Sequence, residues 1–236
     1  MSDTNRLTLP LLAAAQAQKH VTVNEALMRL DGLVNLVLTS VSTTMPPVTV
    51  VDGMCYGVPV GAVNAWAGHE GAIAIGSNGG WVFAQPEAGW RAFIADQGVQ
   101  AIHSGLDWVG GALSLSHHGA GLKAGVMEID HVIGAGGTST TVTMIPSHAM
   151  VIGVSARVTE AITGTLTSWQ LGHSGAEDRF GSGLGLGLGS WAKGMLGQPL
   201  TYWAGTPLQL TAQGGSFAGG TVRLAAHYLE ISLPSV

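Results

Sequence analysis

Charged residues are scarce in this chain of 236 residues. Asp, Glu, Lys and Arg make up 10% of the sequence, against about 25% in an average soluble domain, while hydrophobic residues reach 46%. A soluble chain with so few charges has little with which to cover the surface of a monomer. We therefore expect that much of the surface is buried against further copies of the chain, or that Ser, Thr, Gln and Gly cover it.

Basic residues and cysteine are also few, and each shortage excludes a class of function. The nine Lys and Arg residues form no cluster, and the formal net charge is -5. Because nucleic acids are bound through clustered cations, we expect no nucleic acid partner. Cys55 is the only cysteine, which excludes an intrachain disulfide and a metal site built from cysteines.

No hydrophobic run approaches the roughly 18 residues of a membrane-spanning helix, so we expect no membrane insertion. The N-terminus has an acidic residue, Asp3, near its start and lacks the basic region of a signal peptide. The sequence therefore predicts a protein that is made in the cytoplasm.

Catalytic signatures are missing as well. The sequence contains neither H-E-x-x-H nor G-x-S-x-G. Glycoside hydrolysis needs two carboxylates across one bond; Glu160, Glu177 and Asp178 lie near predicted loops, with nothing to indicate that they face each other. His117 and His118 are adjacent in a predicted linker and are expected to point apart, so we predict no metal site. The interpretation is a protein without a cofactor that is not an enzyme.

The N-terminal segment, residues 1–45, has the features of a helix over residues 9–38. Pro10 suits a first helical position, and Thr22 with Glu25 fits a capping box that would start a second helix. Apolar residues then follow at spacings of 4, 3, 4, 3 and 4, which is a heptad pattern. It permits a helix packed on its own domain or a helix that associates with copies of itself. The residues concerned are Val23, Leu27, Leu30, Val34, Val37 and Val41.

Residues 46–118 are predicted to form a small β domain rich in tryptophan, with five or six short strands. Asn78-Gly79-Gly80 is a hairpin turn signal between two of them. Large aromatic side chains fill the thin core of a small domain, and one or two of them could instead offer a flat face to a sugar ring. We take Trp81 and Trp90 as the candidates for sugar contact; Trp66 and Trp108 are the other two tryptophans of this segment.

Residues 119–236 are predicted to be β throughout, after a linker over residues 117–125. No interval has room for a crossover helix, so the pattern favours an antiparallel sandwich of two sheets that resembles a jelly roll. The fold class is therefore mainly β, with an N-terminal helical segment. The eight predicted strands are 126–133, 140–145, 149–158, 163–171, 182–189, 199–204, 206–212 and 221–232.

The stretch FGSGLGLGLGS, residues 180–190, is too regular for a loop that holds phosphate. Its glycines recur at every second position, and no helix follows, whereas phosphate loops space glycine irregularly before a helix. Period 2 places Leu184, Leu186 and Leu188 on one face of a strand and glycine on the other. We expect a packing element against which another sheet or subunit approaches closely.

Residues 168–180 combine an aromatic ring with planar hydrogen-bonding groups in a predicted loop. This mixture suits a glycan-binding site, and the competing interpretation is an ordinary charged loop. Three further aromatic residues have three possible positions each, in the core, at a subunit interface or as a platform for sugar: Trp191, Tyr202 and Trp203. The candidate glycan contacts of the loop are Trp169, Gln170, His173, Glu177, Asp178 and Arg179.

Two stretches together resemble a known family. The run from Ala15 to Leu27, AQAQKHVTVNEAL, and the later GGWVFAQPEAGWRAFIADQG resemble phage and prophage proteins first catalogued only as a domain of unknown function. That family includes a head-spike protein of the gene transfer agent of Rhodobacter-like α-proteobacteria. The tail from Met144 to Tyr228 is similar to C-terminal domains of phage fibre proteins.

The resemblance implies a structural spike or fibre protein on the surface of a released phage-like particle, which adheres to the capsular polysaccharide of the recipient cell. It implies capsid or other particle proteins as partners and residues 1–45 as the attachment segment. By analogy with fibre proteins we favour a trimer, with a pentamer as the rival. The alternatives are a depolymerase that cuts the capsule and an architectural decoration or adaptor protein without a ligand.

Overall fold

A computed structural model describes residues 3–13 and 19–234 of the chain. Its contacts divide the protein into two compact units, Met1–Gly121 with Ser232–Val236, and Leu122–Ile231. The structure is mainly β, as the sequence predicted. The predicted segments 1–45 and 46–118 both fall within the first unit.

The helical segment is shorter than predicted. Helix α1 spans Lys19–Leu33, whereas Pro10 lies in an isolated bridge with Asp3. Thr22 lies inside α1, so the predicted capping box is wrong, and residues 14–18 fall outside the described ranges. Asn35 follows the helix with a φ of 48°, a left-handed conformation that ends helices and that asparagine adopts more readily than most residues.

The first unit contains a seven-stranded sheet and one further short strand. Its strand order is β4-β3-β2-β1-β5-β6-β7, with β1 parallel to β2 and to β5. The strands are β1 Val37–Leu38, β2 Cys55–Gly57, β3 Ile73–Ser77, β4 Gly80–Ala84, β5 Arg91–Ile94, β6 Val99–His103 and β7 Trp108–Gly110, followed by β8 Ala112–Leu115.

The predicted hairpin turn is confirmed. Asn78 and Gly79 have φ angles of 51° and 74°, and Ser77 pairs with Gly80 across the two-residue loop. Positive φ at both central positions is the requirement of a type I′ turn, which asparagine followed by glycine meets at least steric cost.

Tryptophan fills the core of the first unit as expected. Trp66 is fully buried in one cluster with Tyr56 and Val58, against which the half-buried Trp81 packs. The second cluster, around Leu38, is packed by the half-buried Trp90 and Trp108. These rings contribute the apolar area that a small domain otherwise lacks.

A buried carboxylate ties the N-terminal residues to the end of α1. Asp31 is fully buried and accepts hydrogen bonds from the Thr4 hydroxyl at 2.8 Å and from the backbone N–H groups of Arg6 and Leu7 at 3.1 and 2.6 Å. The Arg6 guanidinium donates to the carbonyls of residues 31, 32 and 35. These carbonyls would otherwise lack partners at the helix C-terminus.

The second unit is built from eight strands, the predicted number. Three predicted strands are displaced: residues 165–167 lie between two strands, the strand expected over 182–189 lies over Ala176–Leu184, and the strand expected over 199–204 begins at Trp191. The linker expected over 117–125 ends earlier, because β9 begins at Gly121. The strands are β9 Gly121–Val132, β10 Thr138–Ile145, β11 Ala149–Gly164, β12 Ser168–His173, β13 Ala176–Leu184, β14 Trp191–Tyr202, β15 Thr206–Gln213 and β16 Phe217–Ser232.

The strand order is that of a jelly roll. One sheet runs β10-β15-β12-β13, and the strands of this unit in the other sheet run β14-β11-β16-β9. Counted from one to eight, the strands therefore pair as 1 with 8, 2 with 7, 3 with 6 and 4 with 5. This is the order obtained when one long antiparallel hairpin is rolled up into two facing sheets.

The glycine-rich stretch is mostly a loop, so its interpretation as one strand is wrong. Strand β13 ends at Leu184, and residues 185–190 connect it to β14. Leu184 and Leu186 pack against the sandwich core, whereas Leu188 is 72% exposed. Together with residues 133–137, 165–167 and 214–216, this loop forms the end of the sandwich opposite to the start of β9 and the end of β16.

The outer face of the β10-β15-β12-β13 sheet carries uncharged polar side chains. Ser168 donates to the Gln213 side-chain carbonyl at 2.7 Å, and the Gln170 amide donates to the Ser182 hydroxyl at 3.2 Å. On this face, amides and hydroxyls therefore cover the surface, which is one of the two explanations proposed for the low charge.

Candidate binding surface

The predicted polar loop at residues 168–180 is a hairpin of β12 and β13. His173 pairs with Ala176 across the turn Ser174-Gly175. Successive side chains of a strand point to opposite faces, so neighbours in this sequence do not converge on one site.

Trp169 and Gln170 show this separation. Trp169 is 1% exposed, and its indole N–H donates to the Gly185 carbonyl at 2.9 Å inside the sandwich. It cannot stack on a sugar, and its predicted role as a glycan contact is wrong. Gln170 lies on the outer face of the sheet, in its hydrogen bond with Ser182.

The remaining residues of the predicted loop are also dispersed. His173 is half-buried against the ring of Tyr202, with ring centroids 5.4 Å apart, and its Nδ1 donates to the Ser174 carbonyl at 2.9 Å. Burial raises the pKa of Tyr202, and the positive charge of Arg179 partly offsets that effect. Glu177 accepts the Gly175 N–H at 3.2 Å. Asp178 and Arg179 are exposed on β13.

The candidates of the first unit are half-buried rather than presented as platforms. Trp81 packs edge to face on Trp66 and Tyr56, at ring-centroid distances of 5.2 and 5.8 Å. Trp90 lines a cavity of about 320 Å³ with Leu33 and neighbouring residues.

The two adjacent histidines of the predicted linker lie close together. His117 and His118 have ring centroids 4.9 Å apart, edge to face, so the expectation that they point apart is wrong.

Glu160 accepts a hydrogen bond from Thr221 at 2.7 Å, away from Glu177 and Asp178 in the fold. In the described ranges, His, Cys, Asp and Glu side chains form no group of three or more that could hold a metal ion.

The lone cysteine is not poised for chemistry. Cys55 is buried, and burial raises the pKa of its thiol to about 11, an effect that the charge of Arg6 reduces. A thiol with so high a pKa is protonated at neutral pH and is a poor nucleophile.

A broad trough lies on the outer face of the β14-β11-β16-β9 sheet, and the sequence analysis did not identify it. Its volume is about 760 Å³. Small side chains form its floor, because Ser155 of β11 pairs with Ala225 of β16, and Gly153 lies one step further along β11. Larger side chains from β14 and β16 rise on either side of this floor.

The apolar wall of the trough comes from β14. Trp191 and Met195 are 65% and 70% exposed, and both lie on the face opposite to the buried Ala192. Cross-strand pairing places Trp191 opposite Arg157, and Met195 opposite Gly153. An indole that is exposed beside a low floor can meet a flat ligand face.

Polar groups line the rest of the trough. Ser155 Oγ and His227 Nε2 lie 3.0 Å apart. Arg223 donates two hydrogen bonds to Asp130, at 2.7 and 2.8 Å, and this pairing lowers the pKa of Asp130. Lys193 lies directly opposite Ser155 on the neighbouring strand.

The trough concentrates positive charge in a chain that has little. Arg157, Lys193 and Arg223 all line it, and they are three of the nine Lys and Arg residues of the sequence. Glu128 is the acidic residue among the lining residues. An aromatic face, hydroxyl and imidazole groups and cations thus share one concave surface, a combination suited to a hydrophilic ligand with a flat apolar face.

A signal for this surface was present in the sequence. Trp191, Lys193 and Met195 alternate with smaller residues, the period of a strand that presents them on one face. The strand prediction began at residue 199 and therefore missed the pattern. The partners from β11 and β16 were not visible, because these strands are distant from β14 along the chain.

The residues predicted for oligomerisation or attachment do not form one helical seam. Val23, Leu27 and Leu30 belong to α1, whereas Val34 follows the helix and Val37 lies on β1. Of these, all but the half-buried Leu27 are exposed. Among the described residues, no helix has the length and apolar character needed to span a membrane.

Comparison with known proteins gives two similarities. Residues 23–109 match the model of a family described as a protein of unknown function (DUF2793), which agrees with the expected resemblance to a family catalogued in that way. The chain is also similar to a solved structure titled "Cyanophage Pam1 capsid asymmetric unit", at 23% identity over 50% of this chain and 92% of that chain, with a TM-score of 0.35. A TM-score this low does not establish a common fold. Comparison with curated proteins gave no match.

Proposed function

We propose that the protein is a structural spike or fibre component of a phage-like particle, and that it binds the capsular polysaccharide of a recipient cell through the trough. The observation that carries this proposal is the exposed Trp191 beside hydrogen-bonding and charged side chains on a concave sheet face. Sugars bind to such surfaces by stacking an apolar ring face on indole while polar groups take their hydroxyls.

The resemblance to phage and gene transfer agent proteins supports the particle. The family match over residues 23–109 includes the second of the two stretches on which the resemblance rests and the last residues of the first. On this proposal the protein is made in the cytoplasm and displayed on released particles. The exposed apolar residues Val23 and Leu30 of α1 would contact another particle protein or another copy of the chain.

The binding mode follows from the arrangement of the trough. One sugar ring stacks on Trp191, and its hydroxyls reach Ser155 and His227. A single site of this kind binds weakly, but several copies on one particle raise the effective concentration and hence the avidity. A trimer is the assembly that we favour, with a pentamer as the alternative.

Cell binding tests this function with a matched pair of variants. Purified protein is incubated with capsulated and capsule-free cells, with soluble capsule polysaccharide as competitor. We expect Trp191→Ala to lose capsule-dependent binding, because it removes the stacking face. Trp203→Ala serves as the control, since Trp203 is 75% exposed but does not line the trough.

Three results would contradict the proposal. Equal binding to both cell types would show that the capsule is not the receptor and would leave a particle-building role. Capsule-dependent binding that survives Trp191→Ala but not Trp203→Ala would move the site to another surface. Loss of capsule viscosity during incubation would instead indicate a depolymerase.

A further inference from the structure

We propose that the trough selects acidic polysaccharides, with the carboxylates of uronic acid residues bound between Arg157 and Lys193. This inference rests on the proposed function and specifies its ligand. It follows from where the structure places positive charge, which the composition alone does not show.

Cations are concentrated at the trough. The chain carries a formal net charge of -5, yet three of its nine Lys and Arg residues line this one surface. Glu128 and Asp130 lie beside Arg223 and offset part of this charge. Arg157 and Lys193 remain beside an exposed indole, and clustered cations attract anions.

Two of these cations have no acidic partner among the described residues. Within the described part of the chain, neither Arg157 nor Lys193 forms an ion pair. Arg157 makes a long contact of 3.5 Å to the Gly189 carbonyl, at the limit of hydrogen-bond geometry. Their donors therefore stay available for a ligand.

Two of the cations in the trough are cross-strand neighbours, which is an unfavourable pairing of like charges. Arg157 lies directly opposite Arg223 on the neighbouring strand, and like charges at such positions repel each other. Asp130 offsets the charge of Arg223 through two hydrogen bonds, and the charge of Arg157 remains without a counter-charge. A bound carboxylate beside Arg157 would supply one.

The positions of the acidic side chains indicate which part of the trough binds the anion. Asp130 and Glu128 belong to β9, on the far side of Arg223 from β14. The uncompensated charge is therefore on β11 and β14, next to Trp191, which pairs with Arg157. A uronic acid ring stacked on this indole would direct its carboxylate to the guanidinium, whose planar donors match a carboxylate in bidentate geometry.

Charge-matched polymers test the selectivity. The probes are polygalacturonate, alginate and hyaluronate, each compared with its carboxyl-reduced form, in which every uronic acid has become the parent neutral sugar. We expect binding of acidic forms only, weakening as salt rises. Arg157→Gln and Lys193→Gln should each weaken binding by about tenfold or more. Arg29→Gln, at an exposed arginine of α1 that does not line the trough, should leave it unchanged.

The outcomes separate this inference from the proposed function. Equal binding of acidic and carboxyl-reduced polymers overturns charge selection while leaving sugar binding intact. Acidic polymer binding that Arg157→Gln and Lys193→Gln leave unchanged places the anion elsewhere and overturns the assigned residues. If none of the polymers binds and capsule binding also fails, both proposals are wrong.

Discussion

At the scale of single residues, Asp31 connects the N-terminal residues to the rest of the first unit. Its fully buried carboxylate joins the hydroxyl and backbone donors of residues 4–7 to the last turn of α1. A carboxylate can remain buried when its oxygens accept hydrogen bonds from several donors.

We expect Asp31→Ala to lower the free energy of unfolding by about 2–3 kcal/mol, because it leaves buried donors unpaired. Asp96→Ala is the matched control, since Asp96 is exposed, and such a surface change stays within about 0.5 kcal/mol. Urea unfolding measures both. Equal midpoints for the two variants would show that Asp31 does not hold the N-terminal residues in place.

Individual tryptophans show what could not be read from the sequence. Trp169 and Trp191 belong to similar mixtures of aromatic and polar residues, yet one is buried in the sandwich and the other is exposed. Which face of a strand a residue occupies depends on the register of its partners. The composition of a stretch therefore identified candidates for sugar contact but did not separate core from surface.

At the scale of elements, alternation and turn chemistry predicted much of the fold. The eight strands of the sandwich and the Asn78-Gly79 hairpin follow from period 2 and from positive φ at asparagine and glycine. The glycine-rich stretch is an exception. Its period of 2 predicts a strand, but glycine has a poor propensity for strands, and most of the stretch is a loop. Gly183, near the end of β13, and Gly189, in the loop, have positive φ angles of 66° and 82°.

Glycines within β14 give a sharp test of packing. A Cβ on Gly194 would lie 2.1 Å from the Phe180 carbonyl oxygen, whereas one on Gly197 would meet open space. We expect Gly194→Ala to destabilise the protein by about 1–3 kcal/mol through overpacking. Gly197→Ala on the same strand should leave the melting temperature unchanged. Similar melting temperatures for both variants would mean that β13 and β14 separate at little cost.

At the scale of the whole molecule, the sequence predicted a mainly β protein and its jelly-roll sandwich, but not the trough. The trough depends on pairs such as Arg157 with Trp191 and Arg157 with Arg223, which are distant in the chain and meet only through sheet order. The low charge of the chain matters at this scale. Because few cations lie elsewhere, three cations on one sheet face are enough to make that face differ in charge from the rest of the surface.

The sandwich also has a core of its own, which makes a prediction about autonomy. Among the described residues, its buried cluster runs from Ile133 to Ala226 and takes none from the first unit. We expect residues 119–234, expressed alone, to fold and to keep the polymer binding of the full chain, measured by circular dichroism and by the acidic polymer assay. The same fragment with Trp169→Ala should lose about 3–5 kcal/mol of stability, because that ring fills the core. A fragment that stays unfolded, or that folds without binding, would show that the trough needs the first unit.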